Sequence, residues 1–452
     1  MNAPHQLALW VHDRHVADIG YAPLDDAWSL QYAPGWRDNP AAFPLSPALP
    51  LHPPADGQRS ASVRRFLENL LPEGRALDIV AASRGVAKTN VYGLIQALGS
   101  ETTGAFRFLA PEQDGTRQQP ANAWREISLD ELDQRIAERD QRPFVEWDGQ
   151  IRMSVAGYQD KLLIYADGRP EQGARMVLPD YPLASTHILK PQPLQPQVPH
   201  MVVNEHYCMT LARALGFPAA EVAIMRTPRP VLAITRFDRA VHPGAAGVFV
   251  ERKHIIDVCQ AADLPVSYKY ERHIGSTGVA AQYRDGVSLP LLFEQLKHVN
   301  RKAVDKLAML RWALFQFVIG NCDAHGKNFS FFVQPSGLAA TPWYDLVSVV
   351  QYPQFAREMA MAFGDEFRLD HIKGYALADF AQRCAIDRQL LIRECRRLND
   401  GVQRRAGALA EEGPYEAEER VFAREIARFA QEQAARLLGF AIEAAKLPAT
   451  YL

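Results

Sequence analysis

Residues 7–20 alternate apolar and polar positions about a polar His12-Asp13-Arg14 corner, which predicts a β-hairpin, and a Pro-rich irregular stretch follows from Pro40 to Pro54. The period then lengthens. Val63, Phe66, Leu67 and Leu70 fall at helical spacing between Ser62 and Leu71, and a second helix is expected from Asn90 to Leu98 with its stop at Gly99. A small α+β unit therefore occupies 1–110. Residues 111–150, with Gln118-Gln119-Pro120, read as a linker or connecting segment.

A period of two returns in the next segment. Lys161 to Tyr165 and Thr186 to Lys190 read as strands, the second ending at Pro191. Glu205, Cys208, Met209 and Ala212 mark one stripe of a helix that stops at Gly216, and two further apolar strands, Val222 to Met225 and Val231 to Ile234, flank Thr227-Pro-Arg-Pro230. A β-rich lobe over 151–240 with one inserted helix is the result. From 241 to 452 the chain is expected to be mostly helical. Leu307, Leu310, Ala313, Leu314, Phe317 and Val318 share one helical face before a stop at Gly320, and 417–446 is an Ala-, Glu- and Arg-rich helical run.

Composition narrows the setting. The chain has 452 residues, 48% of them hydrophobic and 23% charged, an ordinary globular mixture with room for two or three domains. A formal net charge of −2 offers no bulk attraction to nucleic acid or an anionic membrane. Five cysteines without a Cys-x-x-Cys pair read as reduced thiols, and the N-terminus lacks the charged and apolar regions of a secretory signal. No apolar run approaches a membrane span, so a soluble cytoplasmic protein is expected.

The chemistry concentrates in Asp323-Ala-His325-Gly-Lys327-Asn328, followed by Tyr344-Asp345. Phosphoryl transfer from a nucleotide requires a carboxylate for the acceptor hydroxyl and oxygen ligands for Mg²⁺; protein kinases take them from an Asp-x-x-x-x-Asn loop and a later Asp. The spacing is the same here, without a His-Arg-Asp or Asp-Phe-Gly triplet. Asp and Asn also cap helices and make turns, so the motif needs support elsewhere. The first half supplies it in the right order. Ser154-Val155-Ala156-Gly157 leads to Lys161 just before a strand, where a glycine lets backbone approach phosphate oxygens. Lys190 ends a strand, Glu205 follows fifteen positions later on a helix, and Thr235-Arg-Phe237-Asp-Arg239 sits at the hinge between the two lobes. Each element has a plain structural reading as turn, solvated lysine or charged hinge. Their order is what argues for a nucleotide cleft.

These residues carry a resemblance. Ser154 to Lys161, Thr186 to Lys190, Asn204 to Cys208, Arg236 to Arg239, Asp257 to Gln260, Asp323 to Ser330 and Tyr344-Asp345 resemble the HipA family of serine/threonine kinases, toxins of type II toxin-antitoxin systems. Phe43 to Leu51, Phe66 to Pro72 and Thr103 to Phe106 resemble its N-terminal accessory domain. The resemblance implies an α+β, bilobal, protein-kinase-like fold with an N-terminal accessory subdomain and a mostly helical C-terminal lobe. It implies ATP and Mg²⁺ as cofactors, Asp323 as catalytic aspartate, and Asn328 and Asp345 as metal ligands. Lys190 would grip the nucleotide phosphates with Lys161 and the Ser154–Gly157 loop, Thr235 and Phe237 would receive the adenine, and His325 or Lys327 would stabilise the transferring group. Ser154 would be a regulatory autophosphorylation site, where about −1.5 to −2 units of charge would stand in the way of ATP. Implied partners are a HipB-like helix-turn-helix antitoxin, operator DNA through that complex, and a protein substrate such as an aminoacyl-tRNA synthetase, with growth arrest as outcome. Two departures are Thr235 in place of the usual hinge glutamate and Tyr158 in place of a small loop residue. A small-molecule kinase and a non-catalytic corepressor are the alternatives.

Overall fold

The computed structural model describes residues 5–55, 57–113, 115, 124–152, 159–244 and 247–448. The N-terminal hairpin is present, His5–Val11 against Arg14–Ala22, and grows into a four-stranded antiparallel sheet with Ala27–Tyr32 on one side and Arg107–Leu109 on the other. Helices Ser60–Glu68, Gly74–Arg84 and Val91–Leu98 cover it. The first of these ends at Glu68, three residues before the expected Leu71, and the third ends at Leu98 with Asn90 and Gly99 as its caps, as expected. The Gly99 backbone stays right-handed and opens a 3-10 turn, Gly99–Glu101, so the cap is not the left-handed one that glycine often supplies.

The second sheet has six strands in the order Val222–Arg226, Pro230–Thr235, His187–Pro191, Leu162–Ala166, Met176–Leu178 and Arg125–Ile127, every neighbour antiparallel. Its last strand corrects the expectation for 111–150. Arg125–Ile127 is an edge of the sheet, and helix Leu129–Ala137 follows it, capped by the Ser128 hydroxyl on the Glu131 N–H. Ile127, Leu132, Ile136, Phe144 and Trp147 pack against Leu162, Ile164 and Leu189, an apolar set that a connecting segment would have no reason to carry. Helix Met201–Ala214 crosses the other face of the sheet and is buried along most of its length.

A second correction concerns the stretch after Arg239. It begins as a hairpin, Arg239–Gly244 with Gly247–Arg252, and continues to Ile255–Asp257, which pairs with Ser330–Gln334 in a three-stranded sheet. Charged residues at its ends hide the short apolar alternation Val241, Val248 and Val250. Helices dominate only later, with Lys302–Ile319, Gly374–Arg383, Arg388–Glu412 and Ala417–Lys446. Lys302–Ile319 was expected to bury one face. From Met309 onward it is buried almost all round, since the C-terminal helices pack on one side and the strand Gly337–Ala340 on the other.

The described residues thus form two lobes with an accessory unit beside them. One continuous apolar core joins the accessory unit, the helical lobe and one face of the six-stranded sheet, through Leu232 and Ile234, whereas the other face of that sheet keeps its own. Among the described residues no helix is long and apolar enough to cross a membrane.

Candidate active site

A cleft of about 710 Å³ opens between the lobes, and its walls carry Lys161, Lys190, Glu205, Thr235, Phe237, Asp323, His325, Lys327, Asn328 and Asp345. Ser154, Val155, Ala156 and Gly157 lie outside the described residues.

The loop with Asp323 is launched by a helix stop. Gly320 adopts φ 64°, and Asn321 N–H reaches back to Gln316 O at 2.9 Å, closing the Lys302–Ile319 helix. A side chain at 320 would press into Val350 at 2.6 Å, so both conformation and space call for glycine. Asn321 Oδ1 then accepts from Asp323 N–H at 3.2 Å and Asn328 Oδ1 from His325 N–H at 3.1 Å, which ties the turn to its own side chains. Strand Ser330–Gln334 leads the chain away.

Around Lys190 the groups are brought together from far apart. Its ammonium donates to Glu205 Oε1 and to Asp345 Oδ1, both at 2.7 Å, although Asp345 is 155 positions away. Asn328 Nδ2 donates to the other Asp345 oxygen at 2.9 Å. Burial alone would lower the Lys190 ammonium; Asp345 and Glu205 more than reverse that and hold it well above its usual range. Burial would raise the Asp345 carboxyl, and Lys190 and Lys161 instead hold it well below the carboxylate range. At Glu205 burial wins, so its carboxyl lies above its ordinary value despite Lys190. Lys161 is pushed down to about 8 by burial and by the neighbouring Lys190 charge. Two cations at one wall favour an anion between them. Asp345 also sits at φ 57°, a left-handed conformation that costs about 1–2 kcal/mol and is best tolerated by Gly, Asn and Asp.

Asp323 reaches into the open part of the cleft, where its Oδ1 accepts from the Tyr270 hydroxyl at 2.5 Å. Partial burial raises its carboxyl, and the Tyr270 hydrogen bond opposes the rise. His325 and Lys327, one of which is expected to stabilise the transferring group, differ in what they offer it. Burial and the nearby Lys269 push His325 down to about 3, so it is neutral, and its Nδ1 accepts from Lys327 N–H, which leaves the proton on Nε2. Lys327 Nζ is turned to Asp257 Oδ2 at 2.5 Å, Asn69 O at 3.0 Å and Asn69 Oδ1 at 3.2 Å, a full set for an ammonium. At the hinge, Phe237 packs edge-on to Phe332 and tilted against Tyr344 at ring separations of about 6 Å, giving an apolar floor, while Thr235 N–H is engaged by Glu221 O at 2.8 Å.

Tyr270, Asn69, Glu73 and Lys269 also line the cleft, and sequence reasoning assigned none of them a role. Asn69 lies within the Phe66–Pro72 stretch, which carries no assigned chemistry, and no motif marks the other three; Asn69 and Glu73 belong to the accessory unit. Among the described residues no group of three or more His, Cys, Asp or Glu is placed to hold a metal. Asn328 and Asp345 still suit a hard cation that takes its remaining oxygens from phosphate, since an amide oxygen accepting one N–H keeps a second lone pair.

This frame, an antiparallel sheet with a helix across it, a helical lobe, and a cleft between them with a strand lysine on a helix glutamate, is that of a bilobal protein-kinase-like α+β protein. Residues 153–406 match the HipA-like C-terminal domain and residues 7–109 the HipA N-terminal domain. Over 402 residues, 88% of either chain, the sequence is 38% identical to the serine/threonine-protein kinase toxin HipA of Shewanella oneidensis. The fold matches the toxin chain in the Shewanella oneidensis MR-1 complex of HipA, HipB and operator DNA with a TM-score of 0.85 and 35% identity, covering 98% of this chain and 100% of the other. The chain belongs to the HipA family and is, with it, a serine/threonine protein kinase.

Proposed function

We propose that the chain is the kinase toxin of a type II toxin-antitoxin pair and transfers phosphate from Mg-ATP to a protein serine or threonine. The arrangement of Lys190 between Glu205 and Asp345, with Asn328 on the second Asp345 oxygen, carries this reading. It gathers the groups that such a reaction needs for phosphate and cation on one wall of the cleft, beside Asp323. Asp323 accepts the proton of the acceptor hydroxyl, a task suited to a carboxylate raised above its usual value. Lys190 and Lys161 meet the phosphates. Asn328 and Asp345 would hold the cation, which would supply positive charge against the phosphates. Phe237 and the Thr235 backbone receive the base. His325 and Lys327 shape the loop and contribute no charge to the transferring group.

Ser154 is proposed as the self-limiting phosphosite, the partners as a HipB-like antitoxin and operator DNA, and the substrate as a translation protein such as an aminoacyl-tRNA synthetase. Support for the partners is the likeness to a toxin that forms such a complex.

Incubation with [γ-³²P]ATP and Mg²⁺, alone and with cell lysate, tests the reading. Label is expected on protein, lost with EDTA and with Asp323→Asn. Equal labelling by wild type and Asp323→Asn would sink the assignment of the base, and label confined to small molecules would show a metabolite kinase. Self-label that survives Ser154→Ala excludes that serine as the principal site.

A further inference from the structure

The accessory unit shares its core with the helical lobe: Phe66, Leu67 and Leu70 lie in one apolar cluster with Cys259, Leu289 and Phe329. Across that seam, the turn between helices Ser60–Glu68 and Gly74–Arg84 touches the catalytic region at two points. Asn69 takes two of the hydrogen bonds from Lys327, inside the Asp323–Asn328 loop, and its Nδ2 donates to Leu264 O at 2.9 Å. Glu73 Oε2 holds Lys269 Nζ at 2.5 Å, with both side chains largely buried.

Lys269 precedes Tyr270, whose hydroxyl donates to Asp323. The backbone on both sides of Tyr270 is pinned. Gly326 N–H donates to Lys269 O at 2.8 Å, and Glu271 N–H to Ala360 O at 3.1 Å. The Tyr270 ring stands edge-on to His325 with centroids 5.0 Å apart. A phenol held this firmly fixes one Asp323 oxygen and leaves the second for an acceptor hydroxyl.

We infer that the accessory unit is a working part of phosphate transfer: Tyr270 is a positioning residue for Asp323, and the Asn69–Glu73 turn sets Tyr270 and the catalytic loop through Lys269 and Lys327. The inference rests on Asp323 as the base. Its physical basis is that a base displaced by about 1 Å loses up to roughly a hundredfold in rate, and that buried charged hydrogen bonds supply the rigidity.

The test measures transfer from [γ-³²P]ATP to the full-length chain and to lysate proteins, as the rate at saturating ATP and the ATP concentration giving half that rate. Tyr270→Phe is expected to lower the rate roughly tenfold to a hundredfold, with half-saturation by ATP and melting temperature unchanged. Glu73→Gln lowers the rate less, with the same split. The double variant is no slower than Tyr270→Phe, because both act through one hydrogen bond. A wild-type rate in Tyr270→Phe beside an inactive Asp323→Asn overturns the inference alone. A Glu73→Gln chain that melts earlier yet transfers at the wild-type rate, or losses that add in the double variant, overturns the role of the accessory turn. An active Asp323→Asn, or a wild type that transfers nothing, overturns the underlying reading as well.

Discussion

Lys190 and Lys327 are both buried lysines on the walls of one cleft, and both hold their ammonium against a buried carboxylate, yet their partners differ. Lys190 is bound by Glu205 and by Asp345, a carboxylate that also faces Lys161 and Asn328 and stands in a strained backbone conformation. Its partners are groups that phosphate and a cation can engage. Lys327 is bound by Asp257 and by Asn69 of another structural unit, and the bonds stitch three parts of the chain together. Burial and charge are alike in the two; the identity of the partners separates the proposed phosphate-binding cation from a structural one.

Lys190→Met should break the comparison hardest. Loss of phosphate transfer by on the order of 10²–10³ is expected from removing one preorganised charge. Urea denaturation should also show about 3–5 kcal/mol of lost stability, since Glu205 remains buried without its cation. Lys327→Met should lose a similar 3–5 kcal/mol, because Asp257 is left unpaired, while the Kd for a fluorescent ATP analogue stays within a few-fold of wild type. Adding Asp257→Asn to Lys327→Met should restore part of that stability. If nucleotide affinity falls equally in both lysine variants, the distinction between them fails.

A smaller effect concerns His325 between the two. The folded chain leaves it neutral down to about pH 3, whereas an unfolded histidine takes its proton near pH 6.5. Its contribution is therefore full above that value and is lost as pH falls toward 3, with a slope of about 1.4 kcal/mol per pH unit. Denaturation of His325→Asn from pH 6.5 to 4 should show a correspondingly shallower fall. Smallest of all is Glu411→Gln, which breaks an exposed pair with Arg424 between the last two helices and should leave the melting temperature unchanged. An exposed ion pair is screened by water on every side; the two buried lysines are not.

Much of the site was legible because phosphate chemistry restricts residue types and spacing. Asp323, Asn328 and Asp345 stand out by position, and the Lys190–Glu205 pair was readable as strand lysine and helix glutamate. The long helix Ala417–Lys446 was bounded correctly by periodicity alone. Short strands were harder. Arg125–Ile127 has three residues, too few for a period to show, and it exists because Met176–Leu178 offers an edge. That His325 stays neutral and that Lys327 turns to Asp257 and Asn69 was not readable, because a sequence states that a side chain can carry charge and not where its hydrogen bonds go.

The amino-acid order by itself determined the periods of the long elements, the glycine at which the Asp323 loop begins, and the residue types of the cleft, since these depend on local backbone geometry and chemical identity. Only the tertiary structure decided that Lys190 meets Asp345, that Lys327 turns to Asn69, and that Tyr270 reaches Asp323. Those contacts join residues 155, 258 and 53 positions apart, and each is set by how separate elements pack. Burial between packed elements then sets the charge state of each group, which no local pattern contains.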